Sequence, residues 1–143
     1  MIALPDEAVR EIRAHAGETY PEECCGALLG TAEKAEARVA RTERLSNIAT
    51  VERGRRYVID PAEYLRVERR AAEEGLALLG FYHSHPDHPA APSAFDREHA
   101  MPIFHYLVQA VAGGQPGDLT AWLLSEDRQA FDRETIAVGK SGA

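Results

Sequence analysis

Between Gly75 and a proline-rich segment the chain runs Leu76-Ala77-Leu78-Leu79-Gly80-Phe81 without a polar residue. A run of that length with no alternation reads as a strand buried on both faces. The rest of the pattern is mostly amphipathic. Pro5 opens a first helix with Asp6 and Glu7 in its first turn, Val9, Ile12 and Ala16 as its apolar stripe and Gly17 as its stop. Residues 24–29 are uncharged and read as a second, central strand, turned by Gly30-Thr31. Residues 36–45 carry only Val39 and Leu45 as strong apolar positions, which predicts an exposed or edge strand. A loop over 46–54 leads to a short strand at 57–59. Asp60-Pro61-Ala62-Glu63 then supplies an N-cap, a proline at the first position and an acid at the third. Tyr64, Val67 and Ala71, with Leu65 and Ala72 beside them, form the buried stripe of that helix, and Gly75 ends it. This strand-helix-strand unit predicts two strands parallel, or nearly so, in one sheet. Ser93 starts a short helix to about residue 100. Residues 103–111 and 119–124 read as strands around a turn at 113–117, and 128–138 as a strand or a strand plus helix. The sum is an α/β fold, a mixed sheet covered by helices, in one domain over 1–143.

Composition narrows the function classes. A net charge of −7 argues against a general nucleic-acid binder, which would carry a basic face. No apolar run reaches the length of a membrane span, and the N-terminal residues lack a basic segment followed by an apolar core, so a cytoplasmic location is expected. The two cysteines, Cys24 and Cys25, are adjacent; they suit buried, reduced thiols better than a disulfide framework. Arg53, Arg55 and Arg56 read as a solvated surface.

The chemistry concentrates just after the apolar run, in Phe81-Tyr82-His83-Ser84-His85-Pro86-Asp87-His88-Pro89-Ala90-Ala91-Pro92-Ser93-Ala94-Phe95-Asp96. In extended chain, residues two apart point the same way, so His83 and His85 leave the strand together while Ser84 points away. Two parallel imidazoles are two-thirds of a catalytic zinc site, which takes three protein ligands and leaves one position open. Asp96 is the best candidate for the third, and also fits the third helical position of a capping box with Ser93. Prolines 86, 89 and 92 stiffen the loop between the ligands. His15, His99 and His105 lack partners at ligand spacing and read as surface or packing residues. His83 to His88 also match His-x-His-x-Asp-His, the metal motif of the metallo-β-lactamase superfamily. That fold needs further ligands well downstream, and only His99 and His105 come after His88.

The order His, one residue, His, seven residues, Ser, two residues, Asp resembles the JAMM signature of the MPN-plus metalloproteases, the Mov34/PAD-1 family. Tyr20-Pro21-Glu22-Glu23-Cys24-Cys25-Gly26 resembles that family's upstream Pro-x-Glu-x-Cys-Gly segment. The resemblance implies the MPN fold, related to that of cytidine deaminase, with zinc on His83, His85 and Asp96. It implies Glu23, not Glu22, as the general acid and base, and Ser93 as a donor to the oxyanion. It further implies a peptidase or isopeptidase acting after the C-terminal Gly-Gly of a ubiquitin-like or sulfur-carrier protein, as in the small prokaryotic members. The alternatives are an inactive MPN-type scaffold or a metallohydrolase acting on small molecules.

Overall fold

The computed structural model describes residues 1–33 and 36–139. The elements are β1 (Ile2–Pro5), α1 (Asp6–Thr19), β2 (Cys25–Glu33), β3 (Glu36–Leu45), α2 (Pro61–Glu73), β4 (Ala77–Pro86), α3 (Ala94–His99), β5 (His105–Ala112), β6 (Gln115–Leu124), β7 (Phe131–Glu134) and β8 (Ile136–Gly139). They build one eight-stranded mixed sheet in the order β7-β6-β5-β4-β2-β3-β1-β8. The apolar run lies in β4, between antiparallel β2 and parallel β5, and the strand is buried from Leu79 through Pro86.

Alternation along the central strands divides the core in two. Cys24, Leu28 and Tyr82 face α1, joining Ile12 and Ala16. Cys25, Ala27, Leu29 and Phe81 face α2, joining Val67 and Ala71. His83 and His85 have the parity of Phe81, so they stand on the α2 face at the C-terminal end of β4. The ends of the sheet meet. β7 and β8 are the outermost strands, yet only Thr135 separates them in the chain. A flat sheet would hold them about 30 Å apart, whereas one residue spans at most about 3.6 Å. The sheet therefore curls round α1, which packs against β1, β3, β4, β5, β6 and β8. The Ile2 amide donates to the Thr135 carbonyl at the seam (2.9 Å).

Several local expectations need correction. A strand, β1, precedes α1, and α1 runs past Gly17 to Thr19, stopping before Pro21. β2 continues through Gly30-Thr31. Gly30 serves close approach rather than a turn, since a Cβ there would lie 1.9 Å from the Arg38 carbonyl oxygen at a register shift between β2 and β3. β3 has the expected limits but is not an edge, since β1 pairs with it. Its charged residues pair with neighbours while staying at the surface, the exposed Arg44 with Glu11 and Glu18 of α1. Residues 57–59 make only an isolated bridge, Asn47 to Ile59, so no strand precedes α2 and the expected parallel pair across it does not exist. The parallel crossover is β4-α3-β5 instead. On α2, Leu65 is 57% exposed and Ala72 is exposed, leaving Tyr64, Val67 and Ala71 on the inner face. The turn after β5 is only Gly113-Gly114, both at positive φ, with Ala112 opposite Gln115. Residues 131–139 hold two strands and no helix.

Candidate metal centre

Three donor atoms converge at the end of β4. His83 Nε2 and His85 Nε2 are 3.2 Å apart, and each lies 3.1 Å from Asp96 Oδ2. Donor atoms around a tetrahedral zinc with bonds of about 2.0–2.1 Å stand about 3.3 Å from one another. The triangle is close to that size. Glu23 completes the group, and the four ligand-type atoms lie within 4.8 Å of one another, all on buried residues. Glu22, its neighbour, is exposed.

The sequence builds each arm of this group locally. His83 and His85 ride on a strand held on both sides. The Pro89 carbonyl accepts from His85 Nδ1 (2.8 Å), which fixes the ring with Nε2 turned towards the centre. Tyr57 stacks on His83 at 4.4 Å and His88 on His85 at 4.3 Å. Asp96 is the third residue of α3 in a complete capping box. Its amide donates to Ser93 Oγ (3.0 Å), and the Ser93 amide donates to Asp96 Oδ2 (2.9 Å). The cap and the donor triangle therefore use the same carboxylate oxygen.

Glu23 is positioned by its backbone. Its amide donates to the Arg53 carbonyl (2.7 Å), and its carbonyl accepts from Asn47 Nδ2 (3.1 Å). Asn47 uses its whole amide. Nδ2 also reaches the Arg56 carbonyl, and Oδ1 accepts from the Ala49 and Val58 amides. Arg56 then lies over the Phe95 ring at 4.8 Å, tying this loop to α3. Asn47 and Tyr57 carried no sequence signal of this role. A single Asn in a loop has no spacing to read, and Tyr57 fitted a short strand.

The electrostatics are those of a cation site. Burial, then the nearby Asp96 charge, pushes the Glu23 carboxyl up to about 9. Burial alone would raise Asp96, but His83, His85 and the Ser93 amide together hold its carboxyl well below the usual range. Burial lowers His83, against the pull of the Asp96 carboxylate beside it. Among the described residues, four of the six buried side-chain atoms without a hydrogen-bond partner belong to this cluster: both Glu23 oxygens, His83 Nδ1 and Asp96 Oδ1. Unsatisfied buried polar atoms are costly, and their concentration at one point fits a site built for a metal ion and a polar ligand.

The remaining candidates fall outside the cluster. Ser84 Oγ accepts from the Cys24 amide (2.8 Å) on the α1 face. His88 donates to the Pro86 carbonyl. His15 is buried against the Tyr82 hydroxyl, His99 stacks on Phe95, and His105 pairs with Glu134. Both cysteines are buried free thiols, pushed up by burial, Cys24 to about 11. No helix is long and apolar enough to cross a membrane.

Residues 5–125 match the model of a family described as prokaryotic homologs of the JAB domain. The chain is 35% identical over 112 residues to a desampylase of Haloferax volcanii, covering 75% of this chain and 78% of that one. It is 31% identical over 129 residues to a "Probable TtuB-protein conjugate cleaving protease" of Thermus thermophilus, covering 90% and 80%. The solution structure of a Desulfitobacterium hafniense protein superposes with a TM-score of 0.86 at 30% identity, covering 98% and 94% of the two chains. The chain therefore belongs to the prokaryotic JAB-domain family, the small prokaryotic branch that its JAMM signature resembles.

Proposed function

We propose that this chain is a single-domain zinc metallopeptidase that hydrolyses the bond after the C-terminal Gly-Gly of a ubiquitin-like or sulfur-carrier protein. The observation that carries this reading is the 3.1–3.2 Å donor triangle of His83, His85 and Asp96 beside a buried, unpartnered Glu23. Two relatives are named as a desampylase and as a protease cleaving TtuB–protein conjugates, which supports a conjugate as substrate.

His83, His85 and Asp96 would hold the zinc. When bound, zinc lowers the pKa of water towards neutrality and polarises the scissile carbonyl. The chain's own groups do the rest. Glu23 does not ligate; it takes the proton of the attacking water and returns it to the leaving nitrogen as the C–N bond breaks. The products are a Gly-Gly carboxylate and a free amine. A carboxyl held near 9 by burial is poised to keep a proton in this dry pocket, and a cation beside it would draw it back towards neutrality. Ser93 supplies a hydroxyl to the oxygen that gains charge. Its two duties do not conflict. The cap uses an Oγ lone pair, accepting from the Asp96 amide, and the O–H proton is left to donate.

Metal analysis of the purified protein, with cleavage of a Gly-Gly-linked carrier conjugate, tests the proposal. About one zinc per chain and cleavage are expected, with both lost in His83→Ala and Asp96→Ala and zinc kept in His88→Ala. A protein that binds the carrier without zinc or cleavage would be a scaffold, and the proposal would fail.

A further inference from the structure

Below the donor triangle, on the same face of β4, lies an apolar cavity of about 230 Å³. Its floor is Phe81, two residues before His83 on the strand. Tyr64, Phe104 and Tyr106 pack on or close to that ring, and Phe95 and Met101 stand at the α3 side. Asp96 itself is part of the wall, as is Tyr57, whose ring stacks on His83. The rim is open. Met101 is 45% exposed, and its amide is fixed by the Tyr106 hydroxyl at 2.8 Å. The cavity is thus joined to the candidate metal centre through two shared residues.

Its size excludes a folded partner and most ligands of drug size, which need roughly 300–1,000 Å³. A cavity of about 150 Å³ lined by aliphatic and aromatic groups holds one benzene ring. This one has room for one large apolar side chain. The proposed substrate, on which this inference rests, decides which side chain that is. The two residues before the scissile bond are glycines and have no side chain. The first side chain on the carrier side starts two residues further back, about 7 Å along an extended tail. In a linear, α-linked extension the residue after the bond carries its side chain directly beside the scissile nitrogen. A pocket walled by Asp96 lies within reach of that residue.

We infer that this cavity is the specificity subsite for the residue released, and that it selects a large apolar side chain there. The enzyme then distinguishes among Gly-Gly-Xaa extensions by the identity of Xaa. Burial of a leucine or phenylalanine side chain in such a pocket is worth roughly 10- to 100-fold in kcat/KM over glycine. Lysine or aspartate is disfavoured, because among the cavity's described lining residues only Asp96 and His99 can carry charge, and Asp96 belongs to the donor triangle.

The test is a series of one ubiquitin-fold carrier ending in Gly-Gly-Xaa, with Xaa as Gly, Asp, Lys, Leu or Phe, cleaved by the zinc-loaded protein. The expected result is Leu and Phe ahead of Gly by at least 10-fold. Met101→Trp, which plugs the rim, should abolish that preference and leave Gly cleavage at its wild-type rate. Ile59→Phe, on another wall, is a second plug should the first fold poorly. A readout without chemistry accompanies it. Titrating the metal-free protein with Gly-Gly-Phe amide should shift the Met101 methyl resonance, and Gly-Gly-Gly amide should not. Cleavage that is indifferent to Xaa, with no shift, overturns the subsite and leaves the proposed activity standing. A preference that tracks the residue before the glycines assigns the cavity to the carrier tail and equally overturns it. If no member is cleaved, the proposed activity fails, and the subsite with it.

Discussion

β4 presents two polar faces that look alike in sequence and differ in structure. On the α1 side, the Tyr82 hydroxyl meets His15 Nδ1 at 2.7 Å and Ser84 Oγ receives the Cys24 amide at 2.8 Å. On the α2 side, His83 Nδ1, Asp96 Oδ1 and both Glu23 oxygens have no hydrogen-bond partner. Burial does not separate the faces, since Tyr82, His15 and Ser84 are as enclosed as His83, Asp96 and Glu23. A buried polar group that is satisfied within the chain contributes modestly to stability and fixes the packing; one that is not costs free energy until something else binds it. The contrast separates the residues that hold β4 in place from those left open to a ligand at its end.

The largest expected effect is at Glu23, where the two faces predict opposite consequences for stability and activity. Glu23→Gln keeps the size and removes the proton transfer, so cleavage of a Gly-Gly conjugate should fall roughly 10²- to 10⁴-fold with zinc content near wild type. Glu22→Gln, altering an exposed neighbour, should be nearly silent. Stability of the metal-free protein should move the other way. With its carboxyl pushed up to about 9 in the fold, Glu23 stays protonated where the unfolded chain ionises. Its contribution is fully present below pH 4.5 and is lost as pH rises towards 9. At pH 7 the loss is about 3 kcal/mol, and Gln does not incur it. Chelator-treated Glu23→Gln should therefore resist urea better than wild type at pH 7 and lose the advantage near pH 4.5. A variant that is equally active, or that loses zinc, would contradict the assigned role.

How far the sequence carried the reading depended on how local each cause was. The parity of His83 and His85, the cap that places Asp96, and the proline and Asp60 start of α2 are settled within a few residues, and the structure has them where local rules put them. The larger failures are long-range. Four residues, Ile2–Pro5, become a strand only because β3 and β8 lie on either side. Gly30 looks like a turn residue until the Arg38 carbonyl is seen against it. Residues 57–59 have strand composition, but Tyr57 is held over His83 and the segment is tied by Asn47 instead. Asn47 itself, which fixes Glu23 through its carbonyl, could be found only by locating the loop in space. The family resemblance, through the JAMM spacing and the separate upstream Pro-x-Glu-x-Cys-Gly segment, pointed to Glu23 and the donor triangle together because it joins local segments that physics alone leaves unconnected.

A smaller effect is expected from the satisfied face. Ser84→Ala removes the acceptor of the buried Cys24 amide, at a cost of about 1–3 kcal/mol. Although Ser84 sits between two of the donor residues, zinc content and turnover measured below the variant's unfolding transition should stay within a few-fold of wild type. A selective loss of turnover would mean that the α1 face also serves the chemistry.

The smallest effect is a change in the slope of stability against pH, and it comes from His15. This ring is 8% exposed, bonded to Tyr82 on the α1 face. Burial, with the Arg44 charge second, lowers it to about 4, although Glu11 and Glu18 act the other way. The unfolded chain takes up its proton near 6.5, so between 6.5 and 4 the unfolded state binds more protons than the folded one. The contribution is fully present above pH 6.5 and is lost as pH falls through that window. One proton of difference is worth about 1.4 kcal/mol per pH unit, so the loss at about pH 5.5 is about 1.4 kcal/mol. His15→Gln keeps a polar group for Tyr82 and removes the titration. Its urea-unfolding free energy, measured without metal from about pH 7 to about pH 4.5, should fall less steeply than wild type by up to one proton's slope. Glu23 is present in both proteins and cancels from the comparison. Identical acid limbs would show that His15 is protonated in the fold over this range. The satisfied face would then hold a charge, as the unsatisfied one does at Asp96.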